Sequence, residues 1–173
     1  MAWEIDPFHT LVEFSVVHLK ISIVKGRFKE VHGTLHLDTL HPENSWVKAQ
    51  VNVASIDTGV PARDGHLRSA DFFDAVRYPT IAFESTAVEP TGETTSRVMG
   101  NLSLHGVTRP VTFYAKYMGY TRDVETQGWR VGLHATAVIN RRDFAMYFNA
   151  VVEGVALVGN EARIELFIEA LQR

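Results

Sequence analysis

The chain has 173 residues, of which 46% are hydrophobic and 21% are charged, and its formal net charge at pH 7 is −3. These values are typical of one globular domain, and they argue against nucleic acid as a partner, since nucleic-acid-binding surfaces are rich in Lys and Arg. The sequence contains no Cys, which excludes disulfides, thiolate metal sites and cysteine nucleophiles.

Neither a membrane span nor a targeting segment is expected. No apolar run approaches the length of about 18 residues that indicates a transmembrane helix. Residues 1–6 do not show the basic and apolar segments of a secretory signal. We therefore expect a cytoplasmic protein without stable membrane insertion, with a single domain over residues 1–173.

Apolar and polar residues alternate along most of the chain, as in strands with one buried face. In chain order, the alternating segments are 12–17, 47–53, 81–84, 98–104, 111–116, 129–139 and 163–169. Shorter stretches at 26–28 and 35–37 bring the total to about eight or nine strands. Turn-rich spacers separate these segments. One shared core for such strands predicts an antiparallel sandwich or a closed barrel rather than a parallel α/β fold.

Residues 61–75 interrupt the strand pattern. Pro61 suits a first helical turn, and Ser69 suits the cap of a second short turn that carries Phe72 and Phe73. We predict one or two short helices here. A long insertion between strands often forms a lid or a binding element.

The histidines raise the question of a metal site. His32 and His36 share one face of a predicted strand, but at ~3.3 Å per residue they lie about 13 Å apart. They cannot ligate one ion together, and the other histidines would have to converge through tertiary folding. We predict no metal site and no cofactor.

Two polar segments are candidates for a ligand site. Arg63, Asp64 and His66 form the densest cluster, which would hold a ligand's polar group or anchor a helix to the barrel rim through an Arg–Asp pair. Arg141 belongs to the segment 140–144, whose paired arginines suit either an anion clamp or a charged surface corner. Gly-x-Ser-x-Gly and glycine-rich phosphate loops are absent from the sequence.

The predicted inner face contains many residues of moderate size. Ala49, Ala115, Ala135 and Ala137 would leave space if they pointed inward. An eight-stranded barrel is either filled by side chains or holds one small ligand. The alternation fits both an elongated apolar cavity and a filled core.

Several motifs, in order along nearly the whole chain, resemble those of the YceI-like family. They are Trp3-x-Ile5-Asp6-Pro7-x-His9, Val12-x-Phe14-x-Val16-x-His18, Val24-x-Gly26-x-Phe28, Gly33-x-Leu35, Ala54-Ser55-Ile56-Asp57-Thr58-Gly59, Arg63-Asp64-x-His66-Leu67-Arg68-Ser69, Asp71-Phe72-Phe73-Asp74, Tyr78-Pro79-x-Ile81-x-Phe83-x-Ser85, Gly100-x-Leu102-x-Leu104-x-Gly106-Val107-Thr108-Arg109-Pro110-Val111 and Asn140-Arg141-x-Asp143-Phe144.

The resemblance implies an antiparallel, lipocalin-like, eight-stranded β-barrel whose interior binds a polyisoprenoid chain. Family members are regarded as carriers of isoprenoid lipids or quinones, and they are often dimeric and often periplasmic. No catalytic residues are established for the family. Lacking a signal segment, this chain is similar to the cytoplasmic branch. The chain departs from the family at Ala145, where a Gly is usual, and a positive φ there would strain the Ala.

Together, the alternation and the resemblance predict an isoprenoid-type lipid as the ligand, a homodimer, and a binding site with two parts. The apolar part comprises Phe14, Val16, Phe28, Val51, Val53, Phe72, Phe73, Phe83, Leu102, Phe113, Leu133, Ala135, Ala137, Phe144, Tyr147 and Leu166. The polar end comprises His18, Arg63, Asp64, His66 and Arg141. Two alternatives stay open: an enzyme that acts on an apolar substrate through the Arg63, Asp64 and His66 cluster, and an interaction module with a filled core.

Overall fold

The computed structural model describes residues 2–152 and 154–172, which form antiparallel strands and one α-helix. The strands are β1 (Ala2–Ile5), β2 (Leu11–His18), β3 (Ser22–Phe28), β4 (Val31–His36), β5 (Trp46–Asn52), β6 (Ile56–Asp57), β7 (Thr80–Pro90), β8 (Thr95–Leu104), β9 (Val107–Arg122), β10 (Trp129–Asn140), β11 (Val151–Val152), β12 (Val155–Ala156) and β13 (Val158–Gln172). The helix is α1 (Pro61–Arg68), and 3-10 turns span Pro42–Asn44, Val53–Ser55 and Arg141–Phe144.

The strands close into the predicted eight-stranded barrel. The order is β1-β4-β5-β7-β8-β9-β10-β13, and β13 pairs back with β1. The long strand β13 also pairs with β2, so β1 and β2 act as one strand interrupted by a corner. Strand β3 pairs with β2 as β4 pairs with β1, and β6 pairs with β3 as β5 pairs with β4. These two pairs extend the barrel at one end. The prediction of a closed antiparallel barrel is therefore confirmed.

The alternation correctly identifies the inner face. Phe113 on β9 and Ala135 on β10 are buried, whereas Tyr114, the neighbour of Phe113, is exposed. Bulges interrupt the ladders between Ser85 and Ala87, and again on β13. The bulge on β7 changes which residues face inward, since Ile81 and Phe83 before it and Val88 after it all line the interior.

The two ends of the barrel differ in their connections. At one end, called the helix end, lie α1, the turns of residues 69–79 and the segment 141–157. At the other, called the loop end, lie the loops 37–45, 91–94 and 123–128. The loop-end connections contain Asp38, Glu43, Glu93, Asp123 and Glu125 but neither Lys nor Arg. Arginines from the adjoining strands also reach this end, since Arg130 pairs with Asp123 and Arg122 donates to the carbonyl oxygen of Gln127.

The insertion after β6 contains one helix and not two. Helix α1 begins at Pro61, as predicted, and ends at Arg68. Hydrogen-bonded turns follow, in which the N–H of Phe72 donates to the carbonyl oxygen of Ser69 at 3.1 Å. Ser69 thus organises the predicted second turn, which does not extend into a helix.

Ala145 adopts the backbone conformation that its departure from the family pattern predicts. It closes the 3-10 turn Arg141–Phe144 with φ 58° and ψ 24°, in the left-handed region. A Cβ atom is unfavourable in that region. The chain therefore holds a strained Ala at this position.

Across the described ranges, no helix combines the length and the apolar character needed to cross a bilayer.

Candidate functional site

Two adjoining cavities occupy the barrel interior. The helix-end cavity has a volume of ≈ 190 Å³, and the loop-end cavity has a volume of ≈ 480 Å³. Both are lined by Ile5, Ala49, Phe83, Phe113, Leu166 and Ile168. Because the two cavities share these walls, the barrel is hollow on both sides of its middle, which excludes a completely filled core.

Most of the predicted apolar residues line one or both cavities. The helix-end cavity is lined by Phe14, Val16, Phe28, Val51, Phe72, Phe73, Phe83, Leu102, Phe113 and Leu166. The loop-end cavity is lined by Leu133 and Ala135, and again by Phe83, Phe113 and Leu166. The structure thus brings these residues together around one apolar space, and their contact with a ligand stays a prediction.

Four residues of the predicted apolar site lie elsewhere. Val53 is buried in a 3-10 turn, where its N–H donates to the carbonyl oxygen of Pro79. Ala137 and Phe144 are buried too, but they line an outer cleft of ≈ 390 Å³ where β9 and β10 separate. Tyr147 is 59% exposed and stacks under the guanidinium of Arg142.

Small side chains open the loop-end cavity. Ala115 and Ala135 are directly opposite each other on β9 and β10, and both line this cavity. Ala49 lines both cavities. Three of the four alanines predicted to leave space therefore line the interior, where large side chains would project into the cavities, whereas Ala137 lines the outer cleft.

Phenylalanine rings shape the helix-end cavity. The ring of Phe28 lies 5.5 Å from that of Phe14 and 5.6 Å from that of Phe73. Phe73 comes from the turn after α1, and Leu67 of α1 also lines the cavity. The insertion 61–75 therefore closes this end of the barrel with apolar side chains.

A glycine makes room for the ring at the centre of the barrel. A Cβ atom on Gly100 would lie 2.4 Å from the carbonyl oxygen of Glu84 and 2.5 Å from the Phe83 ring. Only Gly allows β7 and the Phe83 ring to approach β8 this closely.

Sequence reasoning omitted several lining residues from the predicted site. They include Val12, Val31, Val47, Ile81, Val98, Leu104, Ala115, Tyr117, Ile139, Met146, Ala162, Ile164 and Ile168. Most of them lie on the segments in which apolar and polar residues alternate, so this alternation was enough to identify them as residues of the inner face. Met146 lies in an irregular segment, where no period applies.

Arg63 and Asp64 anchor α1 to residue 58 and do not pair with each other. The Asp64 carboxylate accepts hydrogen bonds from the N–H and the hydroxyl group of Thr58, at 2.9 and 2.5 Å. Arg63 donates through Nε to Thr58 Oγ1 at 2.8 Å and through Nη2 to the Thr58 carbonyl oxygen at 2.7 Å. The predicted anchoring role is thus present in a different form, with Thr58 between the two charges.

The two histidines of the predicted polar end lie outside the cavity walls. His66 is exposed, its Nε2 lies 2.8 Å from Asp71 Oδ2, and its ring packs edge-on against Phe72. His18 follows the inward residues Phe14 and Val16 with the same parity, at the last position of β2. Neither His is among the residues that line the helix-end cavity.

Arg141 is the member of the predicted polar end that lines the helix-end cavity. Its side chain is 5% exposed and donates hydrogen bonds to main-chain carbonyl oxygens of residues 146, 148, 158 and 159. Burial lowers the pKa of Arg141, and the neighbouring charge of Arg142 acts in the same direction.

One cluster of potential metal ligands occurs among the described residues, and it lies outside the cavities. Ligand atoms of Asp6, His9 and Glu169 lie within 4.8 Å of one another. Arg130 already pairs with both carboxylates of this group, since its Nη1 lies 2.5 Å from Asp6 Oδ2 and 2.9 Å from Glu169 Oε2. The arrangement is an ion-pair network rather than an open ligand set.

The same network lowers the pKa of two aspartates. Burial opposes ionisation of Asp6, but hydrogen bonds from Arg130 and His9 outweigh it and hold the Asp6 pKa below its usual value. For Asp123, hydrogen bonds from the N–H of Thr126 and from Arg130 hold the pKa well below its usual range. Through Asp6, Arg130, Glu169 and Asp123, the network connects the end of β1, strands β10 and β13, and the loop 123–128.

Sequence comparison identifies related proteins. The family model for the YceI-like domain matches residues 3–170. A UPF0312 protein of Pseudomonas savastanoi pv. phaseolicola is 40% identical over 138 residues, which are 80% of this chain and 71% of that protein. A UPF0312 protein of Ectopseudomonas mendocina is 41% identical over 136 residues, which are 79% of this chain and 71% of that protein.

Solved structures share the barrel. Burkholderia cenocepacia BcnA superposes with a TM-score of 0.84 at 21% identity, covering 95% of this chain and 98% of that one. A polyisoprenoid binding domain from Saccharophagus degradans, described as implicated in plant cell wall breakdown, has a TM-score of 0.73 at 14% identity, with coverage of 99% and 98%. At these identities the likeness concerns the fold.

Proposed function

Because this chain belongs to the YceI-like family, we propose that its barrel binds a polyisoprenoid or isoprenoid-quinone-like lipid and acts as a carrier of that lipid. The observation that supports this most directly is the hollow apolar interior, formed by two cavities with shared walls. The neighbour from Saccharophagus degradans, which is named for polyisoprenoid binding, supports the same ligand class.

The shape and chemistry of the interior suit a long branched hydrocarbon. Burial of each CH₂ group contributes roughly 0.8 kcal/mol, so an isoprenoid chain gains affinity from apolar walls alone. The lining of the helix-end cavity consists mainly of Val, Ile, Leu and Phe, and the adjoining loop-end cavity continues the space. A chain that spans both cavities would pass the shared residues Phe83 and Phe113.

The polar end of the proposed site reduces to one side chain. Arg63 and Asp64 are bound to Thr58, and His66 is bound to Asp71. Of the five residues predicted for the polar end, Arg141 is the one that lines the helix-end cavity, and it carries charge at neutral pH. The enzymatic alternative gains no support from Arg63 and Asp64, because their polar atoms contact Thr58 and not the interior.

The assembly and location of the protein are further parts of the proposal. We expect a homodimer, which light scattering of the purified protein would test, and a cytoplasmic address, which cell fractionation would test. A monomer at all concentrations, or recovery from another compartment, would contradict the respective expectation without affecting lipid binding.

Mass spectrometry of the purified protein tests the proposed function. An organic extract should contain an isoprenoid lipid at close to one equivalent, and native spectra should show the corresponding mass shift. Protein that has been stripped of lipid should bind geranylgeraniol saturably with the same stoichiometry. An empty protein that also fails to take up geranylgeraniol would contradict the proposal.

A further inference from the structure

We propose that the hairpin formed by β2 and β3 docks the protein on the surface of an anionic lipid bilayer. Its tip, residues 17–23, lies at the helix end of the barrel, because His18 at the end of β2 is opposite Val158 at the start of β13. The inference goes beyond the proposed function, since docking on a bilayer does not require that the interior hold a lipid.

The hairpin tip exposes large apolar side chains. Ile21 is 85% exposed, Ile23 is 65% exposed and Val17 is 43% exposed. Val16 lines the helix-end cavity, so its neighbour Val17 points outward. Val17 and Ile23 are directly opposite each other on the two strands. Exposed apolar side chains grouped in this way mark a surface that contacts a partner or a membrane.

A tight turn holds these side chains at the tip. The N–H of Ile21 donates to the carbonyl oxygen of His18 at 3.1 Å, across the central residues Leu19 and Lys20. Both central residues have a positive φ, 49° and 60°, as in the two-residue turns that join antiparallel strands. The N–H of Leu19 also donates to the carbonyl oxygen of Leu157 at 3.1 Å, so the tip has a fixed position on the helix end.

The charge of the hairpin complements an anionic surface. Residues 14–29 contain three Lys and one Arg but neither Asp nor Glu, although the whole chain has a net charge of −3. Arg27 lies 4.0 Å from Asp57 Oδ2 and is partly compensated. Lys20 in the tip and Lys25 beside it form no ion pair with any residue that the structure describes.

The neighbouring strand β13 does not offset this positive charge. Arg163 is opposite Ser15 of β2, and Glu161 lies in the bulge of β13 toward the helix end, so the formal charges of these two residues cancel. Glu13 and Glu165, which are opposite each other, lie further from the tip.

Exposed apolar side chains beside lysines suit a bilayer surface. The apolar side chains enter the boundary between head groups and acyl chains, and each Lys close to an anionic surface strengthens binding about fivefold. Val76, Tyr147 and Val151 are further exposed side chains in the helix-end connections, so they extend the apolar surface around the hairpin. Docking of this kind is peripheral and needs no membrane-spanning segment.

The docked hairpin would place the helix-end cavity beside the bilayer. Phe14 and Val16 of β2 line this cavity, and so does Val158, which is opposite the end of β2. A barrel that carries lipid would then exchange it through the helix end. This consequence rests on the proposed function, whereas docking itself does not.

Sedimentation with lipid vesicles tests the inference. The protein should bind vesicles of phosphatidylcholine with about 30% phosphatidylglycerol at least about tenfold more tightly than vesicles of phosphatidylcholine alone, and ~1 M NaCl should remove the difference. If the anionic vesicles are not bound, or if both kinds are bound equally, the inference is overturned. Neither result affects geranylgeraniol binding in solution, which tests the proposed function separately.

Charge variants locate the contact. Lys20→Gln combined with Lys25→Gln should weaken binding to the anionic vesicles about 25-fold, at about fivefold per Lys. Lys48→Gln combined with Lys116→Gln makes the same change in net charge at exposed positions of β5 and β9, so its effect should be less than about threefold. Equal losses in the two double variants would show that net charge rather than the hairpin is responsible, and would overturn the inference. Circular dichroism of each variant gives the folded fraction at which binding is compared.

A dye at the tip tests the apolar contact directly. The chain contains no Cys, so Ile21→Cys can carry a single solvatochromic label. Leu40→Cys, in the loop end, is the matched control, because Ile21 and Leu40 are both 85% exposed. Anionic vesicles should shift the emission of the label at residue 21 to shorter wavelength and leave that at residue 40 unchanged. No shift at residue 21, or an equal shift at residue 40, would overturn the inference.

Discussion

The rings of Phe83 and Phe113 meet edge to face at the point where the two cavities adjoin. Their centroids lie 4.9 Å apart with an interplanar angle of 77°, and both residues line both cavities. Edge-to-face pairs contribute about 0.5–1.5 kcal/mol beyond their buried area. The pair therefore stabilises the barrel where the two cavities of the proposed lipid path adjoin.

Phe113→Ala should merge the two cavities. Removal of this ring should lower the free energy of unfolding by about 3 kcal/mol, at the small end of the range for Phe→Ala, because one side of the ring already faces a cavity. The larger interior should favour longer chains, so the affinity for geranylgeraniol relative to farnesol should rise. Titration with both alcohols and urea denaturation would measure these effects. Tyr114→Ala, on the outer face, should leave the ratio of the affinities for the two alcohols and the free energy of unfolding nearly unchanged.

Ala135→Trp should block the loop-end cavity. The indole would fill space that the small side chains of Ala115 and Ala135 leave open, so the protein should fold while its affinity for geranylgeraniol falls at least tenfold. In a filled core the same change would cost about 1–3 kcal/mol through overpacking. Thr136→Trp, which points to the opposite face of β10, is the matched control. Unchanged binding in Ala135→Trp would contradict the proposed lipid path.

Ala145→Gly should stabilise the protein. Residue 145 has a φ of 58°, which Gly adopts without the steric cost that Ala incurs. Gly loses more backbone entropy than Ala on folding, which offsets part of this benefit. The net gain in the free energy of unfolding should be about 0.5–1 kcal/mol. Ala70→Gly serves as the control, because Ala70 is exposed and has no positive φ. It should be neutral or destabilising, and a similar gain there would contradict the explanation by strain.

Stability should decrease as the solution becomes acidic, in part through Asp6 and Asp123. Both carboxyl groups have pKa values below the ordinary 3.8, so their contribution is complete above about pH 4 and is lost as the pH falls through the folded-state values. Asp123→Asn should therefore flatten the dependence of unfolding free energy on pH between about pH 4 and pH 2. Urea denaturation across this range measures the slope. Asp143→Asn, at an exposed carboxylate, should leave the slope nearly unchanged, and an equal effect there would speak against the network.

Thr58→Val should loosen helix α1. The change removes one hydrogen bond to the buried Asp64 carboxylate and the acceptor of Arg63 Nε, at an expected cost of about 1–3 kcal/mol. Limited proteolysis should then cut faster within residues 61–75. Thr121→Val, on an exposed strand position, is the control. Equal proteolysis of both variants would show that Thr58 does not anchor the helix.

The residues of the barrel wall were largely predictable from the sequence. In a strand, successive side chains point to opposite faces, so the alternation of Ile164, Leu166 and Ile168 reveals the inner face without knowledge of the partners. The same local rule places Leu133 and Ala135 on the inner face, and both line the loop-end cavity. Phe144 and Tyr147 lie in an irregular segment, where no period specifies direction, and neither lines the interior cavities.

The polar contacts were not predictable in the same way. The partners of Arg141 are main-chain oxygens of residues 146, 148, 158 and 159, and any amino acid supplies a carbonyl group. Similarly, Arg63 and Asp64 are adjacent in sequence and suggest a pair, but a helix directs both to Thr58. Such contacts depend on the path of the chain rather than on residue types.

The amino-acid sequence by itself determined the antiparallel strands, the inner face of the barrel, the short helix and the strained Ala145. Each follows from local backbone geometry or from motifs that occur along the chain in the order of the YceI-like family. Only the tertiary structure decided that the interior is hollow, that Phe83 and Phe113 meet at its middle, and that Arg141 is buried without an acidic partner. The physical reason is that cavity volume and the environment of a buried charge depend on how side chains from all strands pack together, and that packing is a property of the closed barrel.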